Sequence, residues 1–445
     1  MKCVATRLSR TLREAFSLGR VRNLSPVRTA RYGVRRRYRA QVAESCGTDV
    51  PRAYVALSLR LKRLVPALVA PIAVDPAISR AVGNEPTPTA AELVRQAGRL
   101  AAALPDSGLA PHREGFLAGQ VAALEWRARQ LAGQHLPFRR EVRECLGLRV
   151  APGEPDAYRA AHRELAALLP GAGSTGERLA AHRRRDVVPP DRLGLAVRSL
   201  SAALRDRVAP WSGPAAAGDV EYRLVDGAPW SALQAYAGDR RSVVRVNAAA
   251  ALGASRLPRM VAHEAYPGHH LECSRGEAAV KAGRVELGVS LLGSPQTVVS
   301  EGLAECGLGT AVGPGWGPWA AGVLADVGVS LDGRLAERLD PLLAVLRRVR
   351  VDAALLLHDG GAPTSERIAA AEEHLRCWLL LDTARARRVV GSLARPLWRA
   401  HVVASVEGTA IVDRWLEQGP DLVTRHLRLL DAPGVPNALR SRTCT

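Results

Sequence analysis

The stretch RMVAHEAYPGHHLE, residues 259–272, gathers His263, Glu264, His269 and His270 within eight positions. Imidazole nitrogens ligate zinc, and a carboxylate beside them can take a proton from water, so these residue types point to metal-assisted hydrolysis. A zinc peptidase helix normally reads HExxH, with its histidines one turn apart on one face. Here the spacing is HExxxxHH. On a straight helix, residues six apart differ by about 240° and rise about 9 Å, and residues seven apart rise about 10.5 Å. Neither pair can meet one ion whose ligand nitrogens lie about 2.0–2.1 Å away, so a regular helix cannot carry the metal. Pro267 lacks an N–H and its ring clashes with the carbonyl four residues back, while Gly268 tolerates whatever backbone results. A widened or kinked turn there would bring His269 back over His263.

The elements that must position these residues are mostly helical. RAYVALSLRLKRLVPALV, HREGFLAGQVAALEWRARQLAGQ, AYRAAHRELAALLPG and DRLGLAVRSLSAALRDRV repeat apolar residues at three and four, with Pro and Gly between them. The pattern predicts packed antiparallel helices. Gly171, Gly173 and Gly176 spell GxGxxG, but no strand precedes them. Ser174 with Glu177 reads as a capping box opening the next helix. Asp219–Gly227 and Arg240–Asn247 are rich in β-branched residues and predict two strands just before the histidine motif. Such a sheet either offers an edge for an extended substrate or is a hairpin that covers a helix. Downstream, Ser294 and Pro295 suit an N-cap and first turn for a helix whose Glu301 and Glu305 share a face.

Composition narrows the class. With 445 residues, 47% of them hydrophobic, the chain buries a large core. Its longest apolar run, Leu64–Val74, is too short for a bilayer and holds two prolines, so no membrane span is expected. Seven scattered cysteines without a CxxC pair argue against a disulfide framework or a cysteine zinc site, and predict a cytoplasmic protein. The net charge of +19 is almost all arginine. Residues 1–47 carry Lys2 and eleven arginines against Glu14 and Glu44, a net +10. That segment lacks the apolar stretch of a signal peptide and reads as a basic tail or as translated upstream sequence, the second being favoured. Residues 48–445 then form a single helical domain.

HEAYPGHH resembles the signature of the domain of unknown function 885 family, helical bacterial proteins similar to gluzincin-type zinc peptidases. SPQTVVSEGLAE, residues 294–305, resembles that family's downstream glutamate helix, and RVRVDAALLLH and LWRAHVVASVEG, residues 348–358 and 397–408, extend the likeness over roughly residues 48–430. The resemblance implies a mainly α, gluzincin-like fold with a small β-sheet next to the site helices. It implies one zinc per chain, held by His263, His269 and Glu301, with Glu264 as general base and His270 the spare histidine. Glu305 would orient a ligating histidine. Tyr236 and Asn247 correspond to family positions near the cleft, or serve as packing and turn residues. His358 is either a substrate contact or a helix C-terminal cap.

The chain also departs from the family. Leu303 and Cys306 replace an aromatic pair, and Ser405 stands where the family has a tyrosine. A tyrosine there would donate to the tetrahedral oxyanion, for which serine is too short; His401, one turn earlier, would serve instead. The sequence therefore predicts a zinc-dependent hydrolase acting on peptide or small amide substrates. One alternative is a zinc-binding homologue with impaired activity. The other, a nucleic-acid-binding protein, is disfavoured because basic stretches interleaved with aromatics are lacking after residue 47.

Overall fold

The structure is a computed structural model that describes residues 49–441 apart from Pro229 and Pro420, so the basic segment 1–47 lies outside the described residues. Helices dominate. The first eight are α1 (Val50–Leu64), α2 (Pro76–Gly83), α3 (Ala90–Ala103), α4 (Pro111–Leu131), α5 (Phe138–Leu146), α6 (Pro155–Leu168), α7 (Thr175–Arg185) and α8 (Pro190–Ser212). After a sheet come α9 (Leu257–Glu264), α10 (His269–Lys281), α11 (Pro295–Ala311), α12 (Trp316–Ala325), α13 (Gly333–Leu346) and α14 (Val349–His358). The chain closes with α15 (Ser365–Trp378), α16 (Thr383–Leu393), α17 (His401–Glu417), α18 (Leu422–Asp431) and α19 (Pro436–Ser441). The fold is mainly α with a small β component, as the sequence predicts.

Helix starts follow local chemistry. Ser174 accepts from the Glu177 N–H while the Glu177 carboxylate accepts from the Ser174 N–H, so the glycine-rich stretch before α7 is a helix entry. At α11 the hydroxyl that closes the entry is Thr297's: it accepts from the N–H groups of Gly293 and Ser294 and donates to the Leu291 carbonyl.

The apolar interior falls into two clusters. One joins α1, α2, α3 and α4 to Leu287, Val289 and Leu291; the other is built from the later helices and the sheet before the histidine motif. A buried ion-pair chain links them. The Arg127 guanidinium donates to Glu141 Oε1 at 2.7 Å, and Arg399 Nε donates to Glu141 Oε2 at 2.6 Å. Removing one partner from such a pair strands a buried charge, which typically costs about 3–5 kcal/mol.

Strands β1 (Val69–Pro71) and β5 (Val289–Leu291) pair antiparallel. The predicted strands appear as β2 (Asp219–Val225) and β4 (Arg241–Asn247), with a further strand, β3 (Ala232–Gly238), between them in sequence. Strand order is β2-β4-β3: β2 runs parallel to β4, and β3 antiparallel to it. The sheet is therefore more than a hairpin. Ser242, Val244 and Val246 of β4 alternate onto the core side, leaving β3 as an edge. Among the described residues, no helix is long and apolar enough to cross a membrane.

Candidate metal centre

The histidine motif does not form one bent helix. α9 ends at Glu264, the chain turns through Ala265–Gly268, and α10 starts at His269. Gly268 makes this reversal possible, because a Cβ on it would lie 1.9 Å from the His263 carbonyl oxygen and 2.6 Å from that of Ala262. Its N–H donates to the Ala262 carbonyl at 2.9 Å. The break is more complete than a widened turn, and it sets the His263 and His269 rings 4.6 Å apart, nearly perpendicular.

α11 supplies the third group. His263 Nε2 lies 3.8 Å from Glu301 Oε2, and His269 Nε2 lies 3.6 Å from Glu301 Oε1. One ligand atom from each of the three residues falls within 4.8 Å of the others. Two donors about 2.0–2.1 Å from a tetrahedral ion stand roughly 3.3–3.4 Å apart, so the trio fits zinc with little adjustment. The three side chains keep 15%, 18% and 13% of their exposure, which leaves solvent a way to a fourth position.

Each histidine turns its other nitrogen to a carboxylate. His263 Nδ1 is 3.5 Å from Glu305 Oε1, and His269 Nδ1 is 3.3 Å from Glu272 Oε2. The Glu272 contact orients the His269 ring with Nε2 toward Glu301, whereas Glu305 approaches His263 as a charge, without a hydrogen bond to Nδ1. Both carboxylates are themselves held: Arg347 Nη1 donates to Glu305 Oε2 at 2.5 Å, and the Ser300 hydroxyl donates to Glu272. Burial alone would raise the Glu301 carboxyl, but His401, His269 and His263 override it and bring it down to about 2. Burial likewise works against protonation of the two histidines, and the facing carboxylates outweigh it, raising both. The trio thus pairs a carboxylate held ionised with two imidazoles that the facing carboxylates shift upward.

Glu264, beside His263, places Oε2 on the Gln234 backbone N–H at 2.8 Å. That N–H belongs to edge strand β3, so the carboxylate is tied to the sheet. His401 Nε2 comes within 3.9 Å of Glu301 Oε1. Ser405, one turn on in α17, is half-buried, and its carbonyl accepts from the Thr409 hydroxyl.

The other expected residues lie around this centre or away from it. His270 is fully buried with Nδ1 2.8 Å from Ser242 Oγ, and belongs to the sheet contact. Tyr236 donates to Glu277 and accepts from the Arg240 N–H. Asn247 is a turn residue: its amide donates to the Ala228 and Trp230 carbonyls and its oxygen accepts from the Ala249 N–H. The substrate-contact reading of His358 needs correction. Its buried ring packs against Phe138, and Nε2 is engaged by the Leu393 carbonyl at 2.9 Å, so it joins α14 to α5 and α16. Asp352, in the same motif, holds the Gly153 N–H and the Tyr158 hydroxyl, so that motif ties α14 to α6.

Sequence reasoning missed Glu272, Ser300, Arg347 and Gln234. Glu272 carried a signal, since it lies three residues after His269 and so shares its helix face.

No family model matches the chain, and no curated protein matches it either. Among solved structures, it is similar to the crystal structure of the "putative lipoprotein from Colwellia psychrerythraea", at 16% identity and a TM-score of 0.45. That match covers 79% of this chain, and the chain spans 65% of the other's length.

Proposed function

We propose that the protein is a zinc-dependent hydrolase cleaving peptide or related amide bonds, a relative of the domain of unknown function 885 family. The carrying observation is the convergence of His263, His269 and Glu301 within 4.8 Å, from a broken helix and a neighbouring one. Further support comes from Glu305 and Glu272, which face the outward nitrogens of the two histidines. When bound, zinc supplies a Lewis acid for the carbonyl and lowers the pKa of water toward 7.

In this reading the chain's own residues orient substrate and move protons. Glu264 takes the proton from the attacking water and delivers it to the leaving amine as the C–N bond breaks. The edge of β3 lies beside Glu264 and suits an extended peptide backbone. His401, next to Glu301, serves as donor to the developing oxyanion. Ser405, in place of the family tyrosine, favours one second reading: a zinc-binding homologue whose turnover is impaired.

The test is metal analysis of protein purified without chelator, followed by cleavage of a peptide library by wild type and Glu264→Gln. We expect about one zinc per chain in both proteins, and a rate at least roughly a hundredfold lower in the variant. Absence of zinc would remove the metal reading. Equal rates at equal zinc loading would remove the catalytic one.

A further inference from the structure

His269 and His270 open α10, and successive residues on a helix are turned by about 100°. The first turn therefore delivers one ring to Glu301 and the other to the sheet. The second ring is walled in. Tyr266 stands edge-on 4.9 Å away and its hydroxyl donates to the Gly218 carbonyl at 2.6 Å, while a Cβ on Gly218 would lie 2.9 Å from His270 Nε2. His270 Nε2 is shut off from solvent without a partner, so among the described residues the ring's hydrogen-bonding contact is at Nδ1.

From Nδ1 a chain of contacts leads to Glu264. Ser242 Oγ of β4 lies 2.8 Å from His270 Nδ1, Gln234 Nε2 of β3 donates to the same Oγ at 2.8 Å, and the Gln234 backbone N–H donates to Glu264 Oε2 at 2.8 Å. His270, Ser242 and Glu264 are buried, and Gln234 is half-buried. Hydrogen bonds in such surroundings are stronger than exposed ones.

Gln234 depends on its side-chain tie more than its neighbours in β3 do. In an antiparallel ladder every second residue turns its N–H and C=O away from the partner strand. Gln234, opposite Val244 and with its N–H given to Glu264, is such a residue. The pairing with β4 becomes irregular between Tyr236 and Gly238, and β3 is an edge, so no further strand holds it from the other side. The Gln234 side chain, anchored through Ser242 to the first turn of α10, supplies the hold that the ladder leaves out at this position.

We infer that His270 is a positioning residue for Glu264, acting through Ser242 and Gln234. This role rests on the hydrolase reading of Glu264. A carboxylate that takes a proton from water and hands it on works best with one oxygen held and the other presented, and the Gln234 N–H holds Oε2. One helix turn thus places both the ligand His269 and, by way of the sheet, the base. A displacement of about 1 Å at a reacting group can cost roughly a hundredfold in rate.

Amide hydrogen exchange and steady-state kinetics on the full chain test this together. Glu264→Ala, which removes the acceptor, gives the exchange rate of a released amide at position 234. His270→Ala, Ser242→Ala and Gln234→Ala should each move that amide at least about tenfold toward the released rate, and Ser242→Thr, which keeps the hydroxyl, should restore protection. With zinc content and KM unchanged, kcat should fall about ten- to a hundredfold in the three alanine variants and recover in Ser242→Thr. A merely structural role would lower zinc content, thermal stability and rate together. Should His270→Ala not fold, Ser242→Ala and Gln234→Ala break the same chain and carry the test. The role is disproved if the amide keeps its wild-type protection in the alanine variants, if kcat is unchanged where the amide is released, or if the loss of rate only follows a loss of zinc. Equal cleavage by wild type and Glu264→Gln, with the amide released as expected, would instead remove the hydrolase reading and leave the link from His270 to Glu264 standing.

Discussion

Gly302 of α11 and Gly408 of α17 meet backbone to backbone. A Cβ on Gly302 would lie 2.3 Å from the Gly408 carbonyl oxygen, and one on Gly408 would lie 2.1 Å from that of Val298. Glu301 immediately precedes the first glycine, and His401 lies two turns before the second. Residues seven apart share a helix face, so this close crossing carries His401 to within 3.9 Å of Glu301 Oε1. The glycines act on the site by setting the distance between two helices.

Gly302→Ala should therefore destabilise the fold by about 1–3 kcal/mol, the usual range for overpacking. It should also weaken any activity that depends on His401. Urea unfolding of wild type and variant measures the first effect. An unchanged midpoint, with unchanged turnover, would show that the helices separate freely and that the crossing does not position the site.

The ligands and the carboxylates behind them should separate by magnitude. His263→Ala, His269→Ala and Glu301→Ala each remove one of three donors and should leave little zinc after dialysis. Glu272→Gln and Glu305→Gln keep the donors but loosen their orientation, for which a loss of roughly 10- to 100-fold in zinc affinity is typical. His270→Ala should retain zinc, because its Nδ1 faces Ser242 and not the trio. Competition with a chromogenic chelator ranks all six, and loss of zinc from His270→Ala alone would show that the wrong histidine of the pair has been assigned.

How far the site was legible in the sequence depends on the range of each interaction. The incompatibility of HExxxxHH with a straight helix follows from geometry, and Pro267 and Gly268 mark the break. The extent of that break did not follow, because it depends on Gly268 lying against the Ala262 and His263 carbonyls. β3 was missed for a local reason: its turn into β4 uses Asp239 and Arg240 at positive φ, without the Asn-Gly or Asp-Gly pair that advertises such a hairpin. Arg347 and Ser300 could not be found at all from spacing. Arg347 reaches Glu305 across 42 positions, and Ser300 reaches Glu272 across 28.

His426 gives a pH dependence whose sign is fixed by burial. Fully buried, with Nδ1 3.2 Å from the Thr310 hydroxyl, it is pushed from 6.5 down to about 4 by burial. A histidine held neutral in the fold contributes stability that is complete above 6.5 and is lost as pH falls toward 4, because the unfolded chain binds the proton first. The shift corresponds to about 3 kcal/mol. His270 has a similar shift, also from burial, whereas the depressed carboxylates Glu301 and Glu305 lose their contribution only at lower pH. Metal-free protein should thus lose stability between about pH 6.5 and pH 4, and His426→Phe should make that slope shallower. Denaturant melts at a series of pH values measure it; an unaltered slope would mean that His426 is reached by water.

His401 and Ser405 decide whether the centre turns over substrate. They lie one turn apart on α17, and His401 Nε2 lies 3.9 Å from Glu301 Oε1. If His401 donates to the oxyanion, His401→Ala should retain zinc and lose about a hundred- to a thousandfold in rate, the usual consequence of removing one such donor. Ser405→Tyr should then raise turnover in the His401→Ala background, because a phenol can span the gap that a serine hydroxyl cannot, and should add much less to the wild type. The opposite pattern, a large gain in wild type and no loss on removing His401, would show that the oxyanion is left without a donor and that the protein is a zinc binder with residual activity. Initial rates on one substrate from the library, for the four proteins at equal zinc content, distinguish these outcomes.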